Sequence, residues 1–97
     1  MTAPDTLLRQ RSLYFMSVPR RWPWYPFLPL VRRKSEGEPD LGVLFDALGV
    51  SGIAGHRATV FLQNVLLLPA TEAELLAGPR EVFDRFEDVV EAGWRVD

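Results

Sequence analysis

The sequence predicts a small α+β domain, with a mainly antiparallel sheet of three or four strands packed against a C-terminal amphipathic helix. Three observations carry that expectation. A chain of 97 residues with 47% apolar content has room for one hydrophobic core and no second domain, so residues 1–97 read as a single unit. Short apolar runs broken by proline and glycine read as strands. The closing segment has a sustained helical stripe with acids between its apolar positions. The chain holds no cysteine, which removes disulfides, thiolate nucleophiles and cysteine-based zinc or iron–sulfur ligation. A domain of this size without staples rests on packing alone, with a margin on the order of 3–5 kcal/mol, and self-association is one route to a larger core.

Residues 1–6 read as a frayed, disordered tail. In Leu7 to Val18, Leu13 and Phe15 alternate with Tyr14, Met16 and Val18, and Pro19 closes the run. The expectation is a strand covered on both sides, which a helix beginning near Pro4 and ending before Ser12 can precede. Prolines at 23, 26 and 29 forbid a helix and disrupt a central strand, so the segment from Pro19 to Pro29 reads as extended or polyproline II. Leu30 to Lys34 continues as a short edge strand whose terminal charges, Arg32, Arg33 and Lys34, protect the edge. Ser35 to Asp40 is a surface turn.

Leu41 to Leu48 fits two templates. Leu41, Leu44, Phe45 and Leu48 have helical spacing, while Val43, Phe45 and Ala47 form one face of a strand; the strand, as hairpin partner of residues 28–34, is preferred. Residues 49–55 form a glycine-rich loop. Thr59 to Leu67 is the central-strand candidate, limited by Pro69. Thr71 with Glu74 fits a capping box opening a short helix. Pro79 then opens the main helix, over residues 79–92, with Val82, Phe83, Phe86, Val89 and Val90 facing the core. Gly93 suits the left-handed residue that ends it, letting Trp94 fold back. Asp88 and Glu91 oppose the helix dipole there and need a basic neighbour.

Charge divides along the chain. Residues 1–34 carry seven basic groups and one acid, and residues 35–97 carry four basic groups and twelve acids, so halves of +6 and −8 hide inside a net charge of −2. The acidic balance argues against a duplex-DNA binder. The start, Met1 to Asp5, lacks the basic region of a secretory leader. The longest run free of charge, Trp22 to Val31, is about half the ~20 residues a membrane span needs. The expectation is a cytoplasmic protein; the aromatic and basic mixture allows shallow docking at a membrane surface, which the acidic remainder disfavours.

Little points to chemistry. His56 is the single histidine, and no metal-binding spacing surrounds it, so no metal or other cofactor is expected. Gly49-Val50-Ser51-Gly52-Ile53 misses the nucleophile-elbow pattern at its last position. Gly49, Gly52 and Gly55 beside Arg57 can offer backbone N–H groups to an anion, but without the Gly-Lys-Ser/Thr ending of a phosphate loop.

Recognition is better supported. Arg20-Arg21-Trp22-Pro23-Trp24-Tyr25-Pro26-Phe27 places three aromatic side chains in four positions next to two arginines, and Arg20-x-x-Pro23-x-x-Pro26 has the spacing of a basic, proline-rich ligand. The bland alternative is that Trp22, Trp24 and Phe27 simply pack the body. The functional reading is a protein–protein interaction or adaptor domain, or a homodimer, using Arg20, Arg21, Trp22, Trp24, Tyr25, Phe27, Arg32 and Arg33. Single-stranded nucleic acid, stacked on the same rings, is the runner-up. A small enzyme acting on an anionic metabolite is the third class.

Overall fold

The computed structural model describes residues 4–46, Gly49 and residues 58–97. Its first element departs in part from the sequence reading: Pro4–Met16 is a helix, α1, which starts where a helix from Pro4 was allowed but runs through Ser12 to Met16, where the strand was expected. Proline and an acid, Asp5, occupy its first turn, as helix starts favour. The inward side of α1 is half polar, which is why its period is hard to see. Arg9, Ser12, Leu13 and Met16 follow the i, i+3, i+4, i+7 spacing and are the less exposed positions, whereas Leu7, Leu8 and Tyr14 lie exposed. The inward polar groups have partners: Arg9 pairs with Glu91, and the Ser12 hydroxyl accepts the Val96 N–H at 3.0 Å.

The proline-spaced segment is not polyproline II either. Pro19–Arg21 is a single 3-10 turn. Residues Trp24 to Phe27 then form a tight turn with a cis Tyr25–Pro26 bond, closed by the Phe27 N–H donating to the Trp24 carbonyl at 2.9 Å, the geometry of a type VI turn. That reversal delivers the chain into β1 (Phe27–Arg32).

The sheet has five strands, not three or four, and is antiparallel throughout. β2 (Asp40–Phe45) pairs with β1 as the hairpin partner expected, and then with β3 (Thr59–Phe61). β4 (Arg80–Val82) joins beyond β3, and β5 (Arg95–Val96) joins on the far side of β1, giving the order β4-β3-β2-β1-β5. β1 is therefore interior rather than an edge. Pro29 is tolerated there because its carbonyl accepts from the Asp97 N–H at 3.0 Å. Its missing donor thus faces the two-residue β5 and not β2.

β3 stops after three residues. Asn64 accepts the Leu66 N–H at 2.9 Å and turns residues Val65–Leu67 into a 3-10 turn, the local competition that asparagine brings to a strand. Thr71 caps α2 (Glu72–Ala77) as expected, accepting the Glu74 N–H at 3.2 Å. The main helix is shorter than residues 79–92. Residues 80–82 are β4, and α3 runs only from Phe86 to Glu91. Strand pairing wins at 80–82 because the Pro79 carbonyl accepts the Leu62 N–H and the Phe83 N–H reaches the Ala58 carbonyl. Val82 consequently points outward, while Phe86, Val89 and Val90 keep the core face.

At the end of α3 the reading holds in detail. Gly93 has φ +99°, its N–H bonds the Val90 carbonyl, and the Trp94 N–H bonds the Val89 carbonyl: a Schellman motif. The basic neighbours that Asp88 and Glu91 needed are internal. Arg9 meets Glu91 and Arg85 lies 3.6 Å from Asp88, while Arg95 donates to the Val90 carbonyl at 2.8 Å.

The sheet buries both faces. On one, Leu28, Leu30, Leu44 and Val60 pack with Met16 of α1, Val89 and Val90 of α3, Trp22 and Trp94. On the other, Val43, Phe45 and Phe61 pack under Leu75 of α2. Among the described residues, no helix is long and apolar enough to cross a membrane.

Candidate interaction surface

The turn between α1 and β1 separates its aromatic side chains by direction. Trp22 points inward, only 6% exposed, with its indole N–H donating to the Phe15 carbonyl at 2.6 Å. Two residues later the chain is turning back, and Trp24 is 54% exposed. Tyr25 follows at 45%. Its ring leans on Trp22 at 6.4 Å, and its hydroxyl bonds the Asp46 carboxylate, which with burial and the nearby negative charge holds its pKa above the ordinary tyrosine value. Phe27 belongs elsewhere. It stacks on Phe45 at 5.1 Å between centroids and lines a groove of about 300 Å³ against Leu68, Pro69 and Leu75, on the α2 face of the sheet.

Next to Trp24 lies a smaller cleft of about 160 Å³. Arg11 and Phe15 of α1 form one wall, and Pro23 and Trp24 form the other. Leu28 and Pro29 contribute from β1, with Val96 and Asp97 from the β5 end. Arg11 lies over the Phe15 ring at 5.7 Å, a cation–π placement that keeps the guanidinium at the rim.

The charge division is partly cancelled inside the fold. Arg9 pairs with Glu91 and Arg95 with Asp5. Arg32 binds Glu81 through both terminal nitrogens at 2.8 Å and Asp40 through Nε at 3.0 Å, while Lys34 also reaches Asp40. These contacts hold the Glu81 and Asp40 carboxyls below their ordinary range, the Arg32 hydrogen bonds being the largest cause for each. Arg32 further lies 4.4 Å above the Trp94 ring, whose indole N–H donates to Glu81. It is thus committed to a half-buried network within the fold. Arg11, Arg20, Arg21 and Arg33 have no carboxylate within salt-bridge distance among the described residues. Arg33 lies beyond the far end of β1, in the turn toward β2.

No family model, no curated protein and no solved structure matches this chain. Function therefore has to be argued from the surface itself. Of the eight residues singled out in the sequence, Arg20, Arg21, Trp24 and Tyr25 are exposed on two successive turns of the α1–β1 connection, Trp22 lies beneath them, and Phe27, Arg32 and Arg33 are placed elsewhere. Arg11 and Phe15 complete the cleft, and the sequence reading missed them because the strand expected up to Val18 hid the helix face they share. The signal that finds them is the helix start at Pro4 and Asp5, which sets Arg11 and Phe15 four apart on one helix face.

No group of three or more histidine and acidic side chains among the described residues is placed to hold a metal ion. Ser51, Gly52, Gly55, His56 and Arg57 lie outside the described residues, as does the rest of the glycine-rich loop after Gly49.

Proposed function

We propose that this domain is a protein-interaction module that engages another protein, or a second copy of itself, through the α1–β1 connection carrying Arg20, Arg21, Trp24 and Tyr25. The observation that carries this reading is the outward Trp24 ring, which borders a cleft between α1 and β1. A small domain gains stability by burying an indole, and this one buries two, Trp22 and Trp94, while leaving the third half in water. Tryptophan, tyrosine and arginine are the side chains most often responsible for binding energy at protein interfaces. An exposed indole with arginines on the preceding turn fits that chemistry.

The test is site-specific photo-crosslinking from position 24, with a control probe at exposed Glu36, combined with light scattering over a concentration series. Covalent adducts from position 24 alone, or self-association lost in Trp24→Ala, are the expected results. A chain that stays monomeric and gives no adduct above the control would end the proposal. Single-stranded nucleic acid would use the same rings with the arginines on phosphates, and its signature is affinity falling steeply with salt, reduced by Arg20→Ala and Arg21→Ala.

A further inference from the structure

We infer that the partner segment is an acidic stretch of polypeptide that inserts one bulky apolar side chain between Arg11 and Trp24. The inference rests on the interaction reading above and adds the chemistry of what is bound. Size comes first. Pockets for small molecules occupy roughly 300–1,000 Å³, and the cleft beside Trp24 holds about 160 Å³. That is too little for a metabolite and suits a single side chain entering from an extended segment. Its lining is apolar where such a side chain would rest, from Phe15, Pro23, Trp24 and Leu28.

Charge selects the flanks. Once the internal pairs are formed, three of the arginines left without a carboxylate partner, Arg11, Arg20 and Arg21, stand on the cleft wall or on the 3-10 turn leading into it. Asp97 is the one acid in the lining. Arg11 and Asp97 balance in the lining, and Arg20 and Arg21 make the turn leading into it positive although the whole chain is net negative. An acidic segment is attracted to that turn. Nucleic acid fits less well because it has no apolar side chain to fill the cleft.

A displayed library of short random peptides, selected on the wild-type chain and counter-selected on Trp24→Ala, tests this directly. The expected winners carry aspartate or glutamate on both sides of a leucine, phenylalanine or tryptophan. Synthetic copies should bind Trp24→Ala about tenfold or more weakly, and Arg11→Glu or Arg20→Glu about three- to tenfold more weakly, with the loss shrinking at high salt. Both arginines are exposed, and circular dichroism checks that the variants keep the fold. Winners that depend on Trp24 but show no acidic bias would overturn the acidic-partner inference and leave the interaction reading standing. If no Trp24-dependent peptide emerges and the photo-crosslinking also fails, both are overturned. Tighter binding of a labelled oligothymidylate at this same site would replace the polypeptide partner with nucleic acid.

Discussion

Gly42→Ala is a small change whose sign depends on one close approach. Gly42 sits in β2, opposite Leu30, with no left-handed backbone to forbid a side chain. Where backbone alone decides, replacing glycine by alanine stabilises by ~0.4–1 kcal/mol, because the unfolded chain has less freedom to lose. Packing opposes this. A Cβ at position 42 would stand 2.5 Å from Val60 Cγ1 and 3.2 Å from two carbons of the Trp94 ring. Neither neighbour has room to retreat, since Val60 and Trp94 are both fully buried, and Trp94 is held by Glu81 on its edge and Arg32 on its face. Overpacking of this kind costs ~1–3 kcal/mol, so the net effect is destabilisation by about 0.5–2 kcal/mol. Thermal unfolding should shift down by about 2–16 °C, at ~4–8 °C per kcal/mol for a domain of this size. Urea titration supplies the same quantity isothermally. Val60→Ala removes the nearest atom, so the double variant should be less damaged than the two single effects added, with a coupling of ~0.5–2 kcal/mol. A neutral or stabilised Gly42→Ala, or strict additivity with Val60→Ala, would refute the packing argument. Gly37→Ala is the contrast. Its φ of +82° with nothing within 4 Å should cost ~1 kcal/mol through the backbone alone, which Val60→Ala should not relieve.

Glu81 sets an acid limit to stability. Arg32 holds its carboxyl below the ordinary glutamate value of 4.5, so its contribution is complete above that value and is lost as the pH falls through the depressed one. Glu81→Gln should flatten this part of the stability–pH curve in denaturant titrations at stepped pH, and an unchanged curve would count against the pair. Trp22→Ala should cost ~3–5 kcal/mol and Trp24→Ala under ~1 kcal/mol, and acrylamide should quench Trp24 while sparing the two buried indoles; equal costs would contradict the placement of these rings. Ser12→Ala strips the acceptor from the Val96 N–H and should destabilise by ~1–2 kcal/mol, with faster hydrogen exchange at Val96 as the local readout. Asp46→Asn should bring the Tyr25 titration down toward 10.0 in alkaline absorbance, since the neutral phenol loses its carboxylate acceptor.

The elements legible in the sequence are those written in local chemistry. The Thr71 cap, the Gly93 stop with Trp94 folding back, and the β1–β2 hairpin were all readable because each depends on residues near one another in the chain. The strand expected over residues 7–18 failed because α1 hides its period. Arg9 and Ser12 occupy inward positions that only Glu91 and Val96, more than eighty residues later, make tolerable. The helix expected from Pro79 failed because β3 competes for residues 80–82 through backbone bonds that no local pattern records. In the candidate site, Arg20, Arg21, Trp24 and Tyr25 stood out from composition alone, whereas the burial of Trp22 and the withdrawal of Arg32 depend on the tight turn and on Glu81.

By itself the sequence determined an unstapled α+β domain with a basic, aromatic, proline-broken segment and a defined C-terminal helix stop. Those properties follow from residue chemistry and short-range sterics. Tertiary structure decided which indole faces water, which arginines remain without a carboxylate partner, and that α1 and β1 enclose a cleft. Each of these depends on pairing between segments far apart in sequence, where burial and charge compensation are settled by the whole fold.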